Sequence, residues 1–251
     1  MVKQEVDMKE FALHTMFTPN QNNSYGIKAT IIGKPGSGKS FLIRDIIRTF
    51  AHVIPVAMIF SGSEEYNHFY GEMFPDLYIR PEYIEEDMKM LEDRQKKVMA
   101  SSTNPTALLV IDDCADDTKI FKRPQFQRHF KNSRHWQVLT LLGLQYCNDI
   151  PPTIKTSVDF AFIFREPNDV NRKRIYDNYA GIIGNYNDFC DLMDQLAEEH
   201  ECLVINNRVQ SNNPTDCVFY YKARSHPKFT FGCQEYQQWA EARYNPNYAK
   251  S

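Results

Sequence analysis

The sequence predicts an α/β fold in which a mostly parallel sheet is covered by helices on both faces. From Tyr25 onward, short apolar runs alternate with stretches of helical period, which is the pattern of strands joined by crossover helices. Residues 107–113 are apolar on both pleat faces until the last two, which is typical of a central strand buried on both sides. With 251 residues, 42% hydrophobic and 24% charged, the chain has an ordinary globular composition, and we expect one domain.

The individual elements follow from this pattern in chain order. A first strand at 27–32 leads through a glycine-rich turn into a helix at 39–50, and a second strand covers 53–60. A helix is predicted at 81–100, where Pro81 suits the first turn and acidic residues precede basic ones. Strands at 138–145 and 158–164 precede helices at 169–180 and 186–200. We expect the last two strands, 202–206 and 217–222, to form a terminal strand pair or hairpin.

The ends of the chain differ from this central part. Residues 1–24 carry no sustained period and end in a polar cluster, so we interpret them as a lead-in arm. The predicted domain covers 25–222. Residues 223–251 contain aromatic side chains but little period, and we interpret them as a C-terminal tail.

The composition excludes several classes of protein. A formal net charge of -3 gives no global attraction to nucleic acid, so any such binding has to come from a local basic surface. The six cysteines include no C-x-x-C pair, which argues against a zinc cluster or a dithiol redox site. No apolar run approaches the ~18 residues that would cross a bilayer, and the charged N-terminus does not resemble a signal peptide. We therefore expect a soluble intracellular chain.

One segment fits the phosphate-binding pattern G-x-x-x-x-G-K-[ST] completely, after a strand and at the start of a helix. In such a Walker A loop the backbone N–H groups point at phosphate oxygens, Lys39 neutralises charge on the β- and γ-phosphates, and Ser40 ligates Mg²⁺. The alternative is a glycine-rich turn that only joins strand to helix. The predicted nucleotide-binding residues are Gly33, Lys34, Pro35, Gly36, Ser37, Gly38, Lys39, Ser40 and Phe41.

Two acids end the buried strand at 107–113 and form a Walker B arrangement. Both carboxylates are expected at the carboxyl edge of the sheet, where α/β proteins bind ligands. Asp112 is predicted to hold Mg²⁺, and Asp113 to orient and deprotonate the attacking water. The alternative is that one of these acids caps the following turn.

Gln145 ends the next apolar strand, which lies beside the Walker B strand if the sheet has an inserted central strand. Its amide could contact both the attacking water and the γ-phosphate and report the state of the nucleotide. The alternative is a glutamine that faces solvent.

The most basic window of the chain, residues 119–135, contains six Lys or Arg and no Asp or Glu. These cations could contact DNA phosphates, or one arginine could enter the site of a neighbouring subunit as a finger. Solvated surface is the alternative. Arg165, which follows the strand at 158–164, is a second candidate finger, ranked lower because Glu166 is expected to pair with it.

Four features together resemble one family: GKPGSGKS, LLVIDDC, the segment NSRH before the strand that ends in Gln145, and the Pro151-Pro152 break. The sequence is similar to the DNA-packaging ATPases of large nucleocytoplasmic DNA viruses, the poxvirus-type packaging ATPase within the HerA/FtsK superfamily. The resemblance covers residues 27–168. It implies a P-loop NTPase fold of the RecA/FtsK type, with Lys39, Asp113, Gln145 and Arg134 as catalytic residues and Arg134 as the finger.

The resemblance also implies a function and its partners. It implies an ATP- and Mg²⁺-dependent motor that assembles as a homo-oligomeric ring, translocates double-stranded DNA without sequence preference, and packages a viral genome into the capsid. Capsid or inner-membrane virion proteins are further implied partners, and the host cytoplasm, with its viral factories, or the virion is the implied location. Two alternatives stay open, a P-loop nucleotide kinase and a nucleotide-binding scaffold for virion assembly. A kinase normally needs an Arg-rich lid, and the sequence contains no such lid.

Overall fold

The computed structural model describes residues 8–17, 26–114, 118–146 and 150–243. Over these residues the chain forms one nine-stranded sheet. Its strands are β1 (Lys9–Glu10), β2 (Lys28–Ile32), β3 (Ala57–Ser61), β4 (Ile79–Arg80), β5 (Ala107–Asp112), β6 (Val138–Leu144), β7 (Phe160–Phe164), β8 (Glu201–Asn206) and β9 (Val218–Lys222).

Helices connect and cover the strands. The α-helices are α1 (Lys39–Phe50), α2 (Glu64–Asn67), α3 (Glu85–Val98), α4 (Pro124–Asn132), α5 (Pro152–Lys155), α6 (Asp169–Tyr179), α7 (Tyr186–Gln195), α8 (Pro214–Cys217) and α9 (Gln234–Arg243). Short 3-10 turns occur at Leu13–Thr15, Asp76–Tyr78, Thr118–Lys122 and Gly181–Ile183.

The strand order is β1-β9-β8-β7-β2-β6-β5-β3-β4. All neighbouring pairs are parallel except the two that β8 makes with β7 and β9. The predicted mostly parallel α/β sheet is therefore confirmed, and so is the terminal strand pair, which the structure shows to be antiparallel. Strand β6 lies between β2 and β5, which is the inserted central strand that the position of Gln145 required.

The core lies on both faces of the sheet because side chains alternate along each strand. In β5, Leu109 and Ile111 face a cluster that includes side chains of α3, α4, α6 and α7, whereas Leu108 and Val110 face a cluster that includes side chains of α1 and α9. All of β5 and β6 is buried, which explains why both strands appear as continuous apolar runs in the sequence.

Three predicted boundaries are wrong for physical reasons that the structure shows. The helix predicted at 186–200 ends at Gln195, because Leu196 follows it with a ψ of 86°, outside the helical region. The strand predicted at 53–60 begins at Ala57, because the N–H groups of Val53 and Ile54 both donate to the Phe50 carbonyl and continue the turn that ends α1. The helix predicted at 81–100 begins at Glu85, because Tyr83 packs in the core against Phe60 and Phe126.

The described parts of the predicted arm and tail pack onto the same body. Residues 9–10 pair with β9, and the buried side chains of Phe11, Leu13, Met16 and Phe17 join the core on the α1 side. In the predicted tail, α9 buries Tyr236 in the same cluster, and the Tyr236 hydroxyl donates to the Ala57 carbonyl at 3.2 Å. The division into arm, domain and tail stays a prediction, but segments from both ends contribute to the core.

Candidate active site

The loop between β2 and α1 has the form that a phosphate-binding turn requires. Gly36 and Gly38 adopt positive φ angles of 77° and 104°, which favour glycine. A Cβ on Gly38 would also lie 2.8 Å from Nδ1 of His200, so glycine is required there for space as well. Gly38 gives α1 no side-chain cap, and the first turn of α1 contains no acid. The first N–H groups of this twelve-residue helix therefore suit an anion.

The remaining loop residues surround this turn. Lys34 pairs with Glu166 at 2.7 Å between Nζ and Oε1, so its charge is already balanced. The Ser37 hydroxyl is buried and has no hydrogen-bond partner among the described residues. Ser40 is exposed at the start of α1, and Phe41 stacks on His200 with ring centroids 4.1 Å apart. Pro35 is exposed at the tip of the loop.

Three of the predicted catalytic residues meet at one oxygen. Lys39 Nζ lies 3.2 Å from Asp113 Oδ1, and Gln145 Nε2 donates to the same oxygen at 3.4 Å. Lys39 is only 7% exposed, whereas Asp113 is 28% exposed and accessible to a water molecule. These residues come from the ends of three neighbouring elements, α1, β5 and β6, so the topology itself brings them together.

A glycine makes the position of Asp113 possible. Asp113 has a φ of 50°, in the left-handed region that is uncommon for residues other than glycine. This conformation brings the Asp113 carbonyl against Gly62, where a Cβ would lie 2.3 Å from that oxygen. Gly62 directly follows β3, the strand that pairs with β5. Because Gly62 has no side chain, the backbone at Asp113 can turn next to it.

Asp112 has a different environment from Asp113. It is 3% exposed, and its Oδ2 accepts a hydrogen bond of 2.9 Å from the Tyr70 hydroxyl. Its Oδ1 is buried and has no hydrogen-bond partner among the described residues. Burial, followed by the negative charge of Asp113, raises the pKa of Asp112 to about 6. A buried carboxylate with an unpartnered oxygen and a disfavoured charge fits a site that a cation completes.

Arg134 lies far from these residues. It precedes β6 and accepts the N–H of Gly26 on its carbonyl, so it lies at the amino edge of the sheet, where the parallel strands begin. The five-residue strand β2 alone separates this edge from the Walker A loop by roughly 16 Å. The Arg134 guanidinium is 52% exposed and pairs with Asp159 at 2.5 Å. Within one chain, the structure does not bring Arg134 together with Lys39, Asp113 or Gln145.

Arg165, in contrast, lies at the carboxyl edge directly after β7. It is 53% exposed, and its guanidinium lies 3.9 Å from Asp194. The pairing of Arg165 with Glu166 that the sequence suggested is wrong, because Glu166 Oε1 contacts Lys34 and also accepts the N–H of Asn168 at 2.8 Å.

Comparison with known protein families shows which family the chain belongs to. The model of a family described as Poxvirus A32 protein matches residues 14–224 of this chain. The chain belongs to this family. The resemblance identified in the sequence is thus confirmed.

Two viral proteins match this chain over most of its length. Protein 075L of Invertebrate iridescent virus 6 is 42% identical over 255 residues, which cover 99% of this chain and 98% of that protein. Protein 088R of Invertebrate iridescent virus 3 is 43% identical over 233 residues, which cover 91% of this chain and 88% of that protein.

Solved structures share the fold of this family member at low sequence identity. B204, the DNA-packaging ATPase from Sulfolobus Turreted Icosahedral Virus, superimposes with a TM-score of 0.56 at 16% identity and covers 78% of this chain and 97% of its own. The genome packaging NTPase B204 from Sulfolobus turreted icosahedral virus 2 in complex with ATP-gammaS gives a TM-score of 0.55 at 15% identity, with 80% and 98% covered. These similarities confirm the P-loop NTPase fold.

Sequence reasoning missed several residues that shape this site. Tyr70 and His200 lie outside every recognisable motif, and both reach the site only through the fold. The role of Gly143 was also missed. A Cβ at this position would lie 2.0 Å from Asp112 Oδ1, so the close approach of Asp112 requires glycine. A glycine inside a buried apolar strand often marks a close approach by another group, and this one could have indicated a side chain packed against β6.

We also searched the described residues for membrane-spanning helices and for clusters of metal ligands. Across residues 8–17, 26–114, 118–146 and 150–243, no helix has the length and apolar character needed to span a membrane. The same residues contain no group of three or more His, Cys, Asp or Glu side chains arranged to hold a metal ion.

Proposed function

We propose that this chain is an ATP-hydrolysing motor that translocates double-stranded DNA and packages a viral genome. The observation that carries the proposal is the meeting of Lys39 and Gln145 at Asp113 Oδ1, beside the uncapped start of α1. Membership of the Poxvirus A32 family supports it, and so does the shared fold with a DNA-packaging ATPase. Double-stranded DNA, a homo-oligomeric ring, capsid or inner-membrane virion proteins and a location in viral factories or the virion are part of the proposal.

The loop and Lys39 would bind the triphosphate. The first N–H groups of α1 lie without a side-chain cap at the carboxyl edge of the sheet, where they can donate to phosphate oxygens. Lys39 would leave Asp113 for the β- and γ-phosphates, whose negative charge exceeds that of one carboxylate. This exchange frees Asp113 Oδ1 to accept a proton, so binding of ATP itself would prepare the base.

Asp113 would act as the general base and Gln145 would orient the attacking water. The 28% exposure of Asp113 gives water access to its carboxylate. Gln145 offers both an amide donor and a carbonyl acceptor at the tip of β6, so it can hold a water molecule beside Asp113. The proton of the attacking water would pass to Asp113 while phosphate is cleaved from ADP.

Ser40 and Asp112 would hold Mg²⁺. The unpartnered Oδ1 of Asp112 and the exposed hydroxyl of Ser40 offer oxygen ligands, which Mg²⁺ prefers. When bound, Mg²⁺ neutralises charge on the phosphate oxygens during phosphoryl transfer. We expect Asp112 to contact Mg²⁺ through water, because Mg²⁺ usually retains part of its hydration shell.

The basic window would supply the DNA contacts, but only some of its cations are suited to this. Arg128 pairs with the buried Glu92 at 2.9 Å, and Arg123 lies 3.8 Å from Glu85, so these two arginines connect α4 to α3. Lys122 and Lys131 are exposed. We therefore assign the contacts with DNA phosphates to these two lysines. Contacts with the phosphate backbone of DNA would let a motor bind any sequence, because phosphates carry no sequence information.

The test measures phosphate release with and without duplex DNA over a range of salt concentrations. We expect ATP turnover that duplex DNA stimulates. In the double variant Lys122→Ala/Lys131→Ala, stimulation should fall while basal turnover persists, and the slope of log affinity against log salt should flatten by about 0.9 for each phosphate that the variant no longer neutralises. The control, Lys89→Ala/Lys97→Ala, removes the same charge from exposed positions of α3 and should behave like the wild type.

Other outcomes of this experiment favour other functions. Negligible turnover under all conditions favours a scaffold, and turnover only with a second phosphate acceptor favours a kinase. If the Lys122→Ala/Lys131→Ala variant and its control respond equally to DNA and salt, these lysines are solvated surface.

An arginine is proposed to act in trans, with Arg134 as the candidate. Its pair with Asp159 holds the exposed guanidinium in place at the surface, where a neighbouring subunit could meet it. A mixture of Arg134→Ala and Lys39→Ala subunits, each inactive alone, should recover partial ATPase activity, since some interfaces regain both groups. Activity is measured in mixed rings whose size is checked by light scattering.

The same mixing experiment with Arg165→Ala separates the two arginines. Recovery with Arg165→Ala and none with Arg134→Ala, in rings of equal size, would assign the finger to Arg165. Full activity of the Arg134→Ala subunit by itself would also contradict the assignment of Arg134.

A further inference from the structure

Tyr70 contacts the Walker B acid although no motif includes it. Its hydroxyl donates to Asp112 Oδ2 at 2.9 Å across 42 positions of the sequence. Tyr70 is 1% exposed, so both partners of this bond are buried. The residue lies in the connection between α2 and the 3-10 turn Asp76–Tyr78, which is not part of the strand ends that form the remainder of the site.

A buried acid fixes the backbone of Tyr70. The two carboxylate oxygens of Glu64 accept the N–H groups of Tyr70 and Gly71 at 2.9 and 2.8 Å. The Tyr70 carbonyl in turn accepts the N–H groups of Met73 and Phe74, both at 2.9 Å. Bonds on both sides of the residue therefore hold the tyrosine ring, and with it the hydroxyl, in one position.

The carboxylate of Asp112 is confined from two sides. Tyr70 holds Oδ2, and Oδ1 lies against the backbone of Gly143, where no side chain could fit. Rotation of the carboxylate would break the bond to Tyr70. The hydrogen bond from Tyr70 to Oδ2 thus fixes the direction in which Oδ1 points.

We propose that Tyr70 is a positioning residue that orients Asp112 toward the divalent cation, with Glu64 as its anchor. The inference rests on the proposed function, because it assumes that Asp112 serves a nucleotide-bound cation. Partners of this kind, which hydrogen-bond a metal-ligating group from behind, fix its orientation and strengthen metal binding. Tyr70 itself touches neither nucleotide nor cation in this role.

The test compares nucleotide binding by Tyr70→Phe with and without Mg²⁺. The dissociation constant of ATP is measured for wild type and variant in EDTA and in Mg²⁺, by competition with a fluorescent nucleotide. We expect equal affinities in EDTA. In Mg²⁺, the variant should need about 10–100-fold more cation to reach the affinity of the wild type. Glu64→Gln should shift the Mg²⁺ requirement in the same direction, because one amide nitrogen would then face a backbone donor.

Tyr83→Phe is the matched control. Tyr83 is also a buried tyrosine that packs on a core phenylalanine, but its hydroxyl has no hydrogen-bond partner among the described residues. The control should bind ATP with the Mg²⁺ requirement of the wild type. Thermal unfolding of all variants without metal and nucleotide checks that each is folded at the assay temperature.

Three results would overturn the inference. An unchanged Mg²⁺ requirement in Tyr70→Phe shows that Asp112 needs no positioning. Equal weakening in EDTA and in Mg²⁺ shows a general structural role. If wild-type protein binds ATP without any dependence on Mg²⁺, the proposed cation site fails first, and the inference fails with it, which distinguishes this outcome from the other two.

Discussion

Lys39→Ala is expected to abolish ATP hydrolysis and to weaken nucleotide binding sharply. Lys39 is the cation that opens α1, and it is nearly buried beside Asp113. In the mutant no side chain replaces this charge at the β- and γ-phosphates, since the other lysine of the loop, Lys34, is held by Glu166. Loss of one preorganised donor to a developing charge costs about 10²–10³ in kcat, and a charged donor contributes at least as much.

The measurement is phosphate release in steady state together with the dissociation constant of ATP. Lys89→Ala, a substitution on the exposed side of α3, serves as the control and should retain wild-type values. Turnover by Lys39→Ala within a few-fold of the wild type would contradict the assignment of the whole site, because each proposed step depends on a triphosphate bound in this loop.

The motif residues could be located from the sequence because their positions follow from local rules. The glycines, Lys39 and Ser40 occur at fixed spacings after a strand, and the acids of β5 end a run that is apolar on both faces. Parallel strands bring such ends to one edge of the sheet. The contact of Gln145 with Asp113 could therefore be anticipated once β6 was placed next to β5.

The elements that the sequence did not reveal lack a local signal. Strands β1 and β4 contain two residues each, too few for any period, and only pairing with β9 and β3 makes them strands. Helix α9 has Tyr236 and Ala240 as its buried residues, so its apolar stripe is narrow. These elements depend on tertiary contacts that a window of neighbouring residues does not contain.

Long-range contacts also explain which partners of the site residues the sequence did not reveal. Tyr70 reaches Asp112 across 42 residues, and Glu166 pairs with Lys34 across 132 residues rather than with its neighbour Arg165. Arg134 lies in the most basic window, but its contact with Asp159 and its place at the amino edge depend on where the strands begin. The sequence shows that oppositely charged side chains are present. Which of them form pairs depends on the fold.

The two Walker B acids are expected to fail in different ways when each is changed to asparagine. Asp113→Asn removes the proposed general base but leaves the loop, Ser40 and Asp112 intact. ATP should therefore still bind in a Mg²⁺-dependent manner, and it should bind at least as tightly, because Lys39 no longer has a carboxylate partner. Hydrolysis should fall by about 10²–10⁴, the usual contribution of general acid–base catalysis.

Asp112→Asn should instead lose the effect of Mg²⁺ on nucleotide binding while the protein remains folded. Burial and the charge of Asp113 already disfavour the ionised form of Asp112, which is why its pKa is raised to about 6. Above that pH a neutral side chain of the same size should leave the free energy of unfolding, measured without metal, equal or higher. The amide oxygen can still accept from Tyr70, so the local packing is conserved.

Binding and unfolding measured on the same samples separate these effects. For Asp112→Asn we expect ATP affinities in Mg²⁺ and in EDTA to become similar and the melting temperature to stay at or above that of the wild type. For Asp113→Asn the Mg²⁺ dependence of binding should persist although turnover is lost. If both variants lose Mg²⁺-dependent binding to the same degree, the acids share the cation, and the base has to be sought elsewhere. A sharp loss of stability in Asp112→Asn would show that the buried charge is compensated in the folded protein.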